Sequence, residues 1–197
     1  MGTVDKEIYG FYAMVFRQKY INRWSMMRNN TVETLSTHSM ECAVLAHALA
    51  LIGNTLFGKN YNPDRVAVLA LYHDVPEVYT SDLPTPVKYY NEEMRKNYDL
   101  IENEAIERLM KGLPEELRDS YRSIFSDEDK ESRFLVKAAD KLCAYIKCIN
   151  ECNDHNSEFK AAKEACEKKV KEYSCQEVDY FLEYLLPAFS CTLDELG

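Results

Sequence analysis

Leu135-Val136-Lys137-Ala138-Ala139-Asp140-Lys141-Leu142-Cys143-Ala144-Tyr145-Ile146-Lys147-Cys148-Ile149 sets Leu135, Ala138, Leu142, Tyr145 and Ile149 along one face at helical spacing. The same period recurs on both sides of it. His38, Cys42, Leu45, Leu49 and Ile52 follow one another at steps of four, three, four and three. Val4, Ile8, Phe11 and Val15 share a face near the start, and Phe159, Ala162, Cys166, Val170 and Tyr173 share one near the end. Met94, Tyr98, Ile101, Ala105 and Leu109 mark another helix, ended near Gly112, and Pro114 opens a short one. Period-two alternation is scarce, so the expected class is all-α.

Local signals place several ends. Asn62 and Pro63 read as an N-cap and first helical position leading into Val66, Leu69, Ala70 and His73. Ser174 with Glu177 fits a capping box for a last helix running through Leu186 and stopped by Pro187. The polar breaks at 29–36, 81–91, 126–132 and 153–157 are too short for domain linkers. At 197 residues, one well-filled core is expected across residues 1–197, with 1–10 as an N-terminal extension.

Composition narrows the partners. Hydrophobic residues make up 46%, which argues for a folded domain. A net charge of -9 repels polyanions over most of the surface, so neither nucleic acid nor an anionic membrane is an expected partner. A small phosphorylated substrate in a locally basic pocket remains compatible. The longest apolar run, Ala43 to Ile52, is interrupted by His47 and too short for a bilayer. Asp5, Lys6 and Glu7 fall where the apolar part of a secretory leader would begin, so the cytoplasm is expected and the seven cysteines read as reduced thiols.

Four histidines allow a full audit. His73 is followed by Asp74, and Glu77 lies one turn on, although Pro76 between them ends or kinks the helix. A His-Asp dipeptide alone says little. His38 in the first turn of its helix and Asp140 beside two small alanines complete a set of two imidazoles and two carboxylates. Such a mixed nitrogen and oxygen set suits a borderline or hard divalent ion such as cobalt, manganese or zinc. His47 is nine positions from His38, on nearly the opposite helix face, and His155 sits in a surface turn. A second metal therefore has no obvious ligands.

The order His38, His73-Asp74, Asp140 resembles the HD phosphohydrolase superfamily. Ile21-Asn22-Arg23-Trp24, Tyr72-His73-Asp74, Asp82-Leu83-Pro84-Thr85-Pro86-Val87-Lys88 and Ala139-Asp140-Lys141-Leu142-Cys143-Ala144-Tyr145 are similar, more closely, to the bacterial HD-domain 5'-deoxynucleotidases. Pro114-Glu115-Glu116-Leu117-Arg118 and Asp179-Tyr180-Phe181 extend the match, which runs from about Phe11 to Glu195. The resemblance implies a single-domain helical bundle of the HD type and hydrolysis of deoxyribonucleoside 5'-monophosphates to deoxynucleosides and phosphate. It implies His38, His73, Asp74 and Asp140 as ligands of one divalent metal, Glu77 as the catalytic carboxylate, and a homodimer.

Arg23, Trp24, Asp82, Thr85 and Lys88 then fall in the substrate pocket. Arg23 offers a planar fork for phosphate oxygens. Trp24, the only tryptophan, walls the sugar or base unless it is simply core. Asp82, in a loop stiffened by Pro84 and Pro86, accepts from a sugar hydroxyl or only shapes a turn. Two other readings stay open. One is an HD-type hydrolase of triphosphates, cyclic nucleotides or alarmones. The other is a non-catalytic helical module with a structural metal, which the extra carboxylate of Glu77 disfavours. Tyr173, Tyr180, Phe181, Tyr184 and Phe189 are more aromatic surface than one face buries, consistent with a partner surface or with ordinary packing.

Overall fold

The computed structural model describes residues 8–88, 90–126 and 128–197, without the side chain of Thr85. Helices α1 (Phe11–Val15), α2 (Leu35–Leu56), α3 (Pro63–Tyr72), α4 (Glu77–Thr80) and α5 (Thr85–Lys88) fill the first half. Helices α6 (Glu92–Lys111), α7 (Glu115–Phe125), α8 (Lys130–Asn153), α9 (Lys160–Glu172) and α10 (Gln176–Tyr180) fill the second. The described residues form no strand, only one isolated antiparallel bridge between Asn22 and Thr34.

Helix starts are held by short polar side chains that accept from orphan backbone donors. Thr34 accepts from Thr37 N at the head of α2 and Asn62 from Arg65 N at α3, where Pro63 takes the first turn. Asn91 and Asp129 cap α6 and α8 in the same way. The apolar stripes of α2, α3 and α8 meet in one core around Leu49, Leu69 and Leu142, closed by Val170 of α9 and Val178 of α10. Helix α2 alone among the described helices has the length and hydropathy to cross a membrane, but it lies against α3 and α8 with Leu35, Cys42, Ala46 and Leu49 fully buried.

A second cluster joins Phe11, Val75, Leu109, Met110 and Leu113. Here α1 docks on the end of α6: Phe11 N–H donates to Gly112 O at 3.0 Å, and a Cβ on Gly112 would stand 3.0 Å from Phe11 N. The glycine ends the helix and leaves room for this close approach.

Three expectations need correction. The first helix begins only after Gly10, and Ile8 is 90% exposed, so the apolar face starts at Phe11; Val4 lies outside the described residues. On α6, Met94 and Ile101 are exposed, and burial is carried by Tyr98, Ala105 and Leu109. Ser174 and Glu177 make no capping box: α10 is preceded by Cys175 without a side-chain cap, and Ser174 adopts φ 41°. Glu177 turns inward instead, where its Oε1 accepts from Tyr61 Oη at 3.3 Å beside Gly53, whose missing Cβ makes room for both. Past Tyr180 the chain runs on as a π-helical turn, Phe181–Leu185, and a 3-10 turn, Leu186–Ser190, so Pro187 begins a turn rather than stopping a helix.

Candidate active site

Four pieces of backbone bring the polar groups together. Helix α2 carries His38 one turn from its start; α3 ends at Tyr72, and His73 and Asp74 lie in the turns that follow. The break at Pro76 does end the regular helix, and α4 restarts at Glu77, which is buried. Helix α8 supplies Asp140, its small neighbours Ala138 and Ala139 buried against α2 and α3. Residues 22–24 are pinned to the entrance of α2 by the Asn22–Thr34 bridge and by Arg23 N–H donating to Glu33 O at 2.9 Å.

The side chains of His38, His73, Asp74 and Asp140 lie close together. His38 Nε2 lies 3.2 Å from Asp140 Oδ1 and 3.5 Å from Asp74 Oδ2, and His73 Nε2 lies 3.1 Å from Asp74 Oδ1. The two imidazole centroids are 5.2 Å apart. His73 Nδ1 is 2.6 Å from Ala70 O. A carbonyl oxygen only accepts, so Nδ1 carries the proton and Nε2 presents its lone pair to the cluster. His38 Nε2 and His73 Nε2 are both buried without a hydrogen-bond partner, as are His38 Nδ1 and Arg23 Nε on the side of Glu33. Two orphaned nitrogens and two carboxylates facing one small volume are what a divalent cation satisfies. The donors fit the ion.

Cys42, one turn after His38, brings a sulfur within 4.8 Å of the two imidazoles. Its thiol donates to Val136 O at 3.9 Å, and contact with Cys143, then burial, holds it well above the ordinary thiol range. It is packed as core, in line with the sequence reading. His47 is half-buried, 3.9 Å from Asp64, and His155 sits in an exposed turn at φ 62°.

The electrostatics are strong. Burial opposes the Asp74 charge, yet His73, His38 and Arg23 hold its carboxyl far below the usual range. Asp140 falls to about 2, His38 outweighing burial. Burial and Arg23 oppose a charge on His38, but Asp140 and Glu33 raise it to about 10. Glu77 goes the other way: burial first, then repulsion from Asp74 and Asp82, pushes it up to about 9. Its Oε2 has no hydrogen-bond partner.

A cavity of about 690 Å³ opens beside the cluster, walled by Arg23, Trp24, Asp82, Pro84, Asp140 and Lys141 among others. Arg23 bridges cluster and cavity, 3.1 Å from Asp74 Oδ2 and 3.9 Å from Asp140 Oδ1. Trp24 sits at φ 56°, tilted on Phe159 with centroids 5.5 Å apart, so one face packs on the core while the residue lines the cavity. Burial, with repulsion from Asp74, raises the Asp82 carboxyl. Lys88 lies outside the cavity wall, 3.9 Å from Glu77 Oε1, 3.5 Å from Glu102 Oε1 and 4.1 Å over the Tyr98 ring. The Thr85 side chain lies outside the described part of the structure.

Sequence reasoning missed Glu33. It is buried, accepts from Trp24 Nε1 at 2.7 Å, and faces His38 Nδ1 at 3.3 Å and Arg23 Nε at 3.7 Å. Burial opposes its charge, but His38 and Arg23 hold the carboxyl below its ordinary value. It stands just before the α2 N-cap, and neither period nor motif marked it.

Solved structures share this arrangement of helices. An HD-domain phosphohydrolase from Listeria innocua superposes with a TM-score of 0.80 over 91% of this chain and 87% of that one, at 20% identity. The cyanophage S-2L HD phosphohydrolase, bound to dA and one catalytic Zn2+ ion, superposes with a TM-score of 0.63 at 18% identity, covering 89% of this chain and 93% of that one. The fold is that of the HD-domain phosphohydrolases. At the level of sequence, residues 10–189 match the model of the 5'-deoxynucleotidase YfbR-like family. A 5'-deoxynucleotidase of Erwinia tasmaniensis is 49% identical over 190 residues, 95% of this chain and 96% of that protein. The chain belongs to the YfbR-like 5'-deoxynucleotidase family.

Proposed function

We propose that the protein hydrolyses deoxyribonucleoside 5'-monophosphates to deoxynucleosides and phosphate, with one divalent metal held by His38, His73, Asp74 and Asp140. It is a metal-dependent phosphomonoesterase. The observation that carries the residue assignment is the meeting of two partnerless imidazole nitrogens and two carboxylates at the wall of a cavity that also contains Arg23. When bound, a divalent ion supplies Lewis acidity towards a phosphoryl oxygen and makes water a stronger acid.

The chain's own residues do the rest. Arg23, held between Asp74, Asp140 and Glu33, presents its guanidinium to phosphate oxygens in a fixed orientation. Trp24 closes one side of the sugar and base space, and Asp82, half-buried on the facing loop, accepts from a sugar hydroxyl. Glu77 handles the proton. Raised by burial, it is poised to give one to the departing 5'-oxygen, and Lys88 beside it favours the carboxylate that remains. Thr85 belongs to the same pocket through the family motif.

Cobalt or manganese matches the mixed donor set, and zinc is the ion named for the cyanophage protein. All seven thiols are free, which supports the cytoplasm as the compartment. Exposed Tyr184, Leu185 and Phe189 at the C-terminal turns support a homodimer.

Phosphate release from dAMP, AMP and dATP by metal-stripped protein, with and without added cobalt or manganese, tests the reading. Metal-dependent release from dAMP with little from AMP or dATP is expected. Release from dATP alone moves the substrate to triphosphates, and no release with any metal overturns the assignment.

A further inference from the structure

We infer that Glu33 is a positioning residue that ties the metal centre to the substrate cavity through one buried carboxylate. The inference rests on the proposed role of His38 as a metal ligand. Three groups reach this carboxylate. Oε2 accepts from Trp24 Nε1 at 2.7 Å, and Oε1 faces His38 Nδ1 at 3.3 Å and Arg23 Nε at 3.7 Å. Glu33 is buried, the His38 side chain is fully buried, that of Arg23 is 14% exposed, and Trp24 is half-buried in the cavity wall.

Each contact does something different. The carboxylate opposite Nδ1 favours a proton on that nitrogen, so the proton given up to a bound metal is the one on Nε2, which faces Asp74 and Asp140. The indole contact holds Trp24 in its positive-φ backbone, with its ring tilted on Phe159 and the residue in the cavity wall. The Arg23 contact, backed by Arg23 N–H donating to Glu33 O, sets the base of the side chain whose tip lies between Asp74 and Asp140. His73 obtains the same tautomer from a backbone carbonyl, Ala70 O, which no side-chain change removes. His38 depends on Glu33.

Trp24 is the only tryptophan in the chain, so intrinsic fluorescence reads this contact directly. Metal-stripped wild type, Glu33→Ala and Glu33→Gln are titrated with cobalt by calorimetry, and Trp24 emission is recorded on the same samples. Glu33→Ala is expected to weaken cobalt binding about 10–100-fold and to shift Trp24 emission to the red. Glu33→Gln keeps an acceptor for the indole but loses the charge facing His38. It is expected to retain wild-type emission while still binding cobalt about 10-fold more weakly.

Cobalt binding within twofold of wild type in Glu33→Gln overturns the inference, and this variant decides the matter if Glu33→Ala does not fold. Wild-type protein that binds no cobalt overturns it too. Wild type that binds cobalt yet leaves dAMP intact removes the substrate reading alone, because the titration needs no turnover.

Discussion

Helix α8 carries two charged clusters about three turns apart, around Asp140 and Glu151, and they are built on opposite principles. Around Asp140, His38 Nε2, His73 Nε2 and Glu77 Oε2 are buried without hydrogen-bond partners. Around Glu151, every need is met. Lys147 pairs with it one turn away, Asn30 and Thr31 donate backbone N–H groups at 2.9 and 3.1 Å, and Asn156 Nδ2 donates at 2.7 Å. Glu151 is only 1% exposed, yet burial is outweighed by Lys147 and the Asn30 N–H, and its pKa falls to about 2. A saturated buried carboxylate holds the 28–31 loop onto α8. An unsaturated cluster is held ready for something the chain does not itself supply.

This contrast breaks first at Glu77. Glu77→Gln is expected to lower kcat by about 10²–10⁴-fold, because the proton it handles is lost. It should leave the urea stability of the metal-free protein no lower than wild type, since a carboxyl group that burial and two neighbouring aspartates disfavour is being removed. A stability loss beyond about 1 kcal/mol would place Glu77 among the structural groups.

The reverse holds at Glu151. Glu151→Ala is expected to cost about 3–5 kcal/mol in unfolding free energy, because Lys147 and two backbone donors lose their acceptor. The surviving folded enzyme should keep kcat within a few-fold. The pH dependence has a definite sign. A folded pKa below the ordinary glutamate value of about 4.3 stabilises the protein fully above that value, and the contribution disappears as pH falls towards about 2. The stability gap between wild type and Glu151→Gln therefore narrows in urea unfolding from pH 7 to pH 3. A gap that stays constant over that range would deny the charge its role.

The smallest effect sharpens the comparison by control. The His47 side chain is 40% exposed, and His47→Ala should change stability by no more than about 0.5 kcal/mol and leave metal stoichiometry unchanged. Altered stoichiometry would give α2 a second ligand, on the helix face away from His38.

Much of the site was legible because its parts lie in local patterns. The stripes of α2, α3 and α8 place His38, His73 and Asp140 at definite helix positions, and Pro76 announces the break that turns Glu77 away from α3. Ser174 and Glu177 misled because a capping box is a local pattern too, whereas the partner that claims Glu177, Tyr61, is 116 residues away. Lys88 was legible as a cation near the site, but its packing on Tyr98 and its approach to Glu77 and Glu102 came only with α6.

The sequence by itself determined the helical class, most helix starts through their caps, and the identity of the two histidines and two aspartates that face one another. These depend on period, on turn chemistry and on motif order, all carried within a few residues. Only the tertiary structure decided which buried charges are saturated and which are left open. Glu151 meets Asn30 across 121 residues, and Arg23 meets Asp74 across 51. It also decided what stands opposite each imidazole Nδ1: Ala70 O for His73 and the Glu33 carboxylate for His38. The physical reason is that a buried polar group takes its energy from whatever partner surrounds it in space, and chain separation carries no record of that partner.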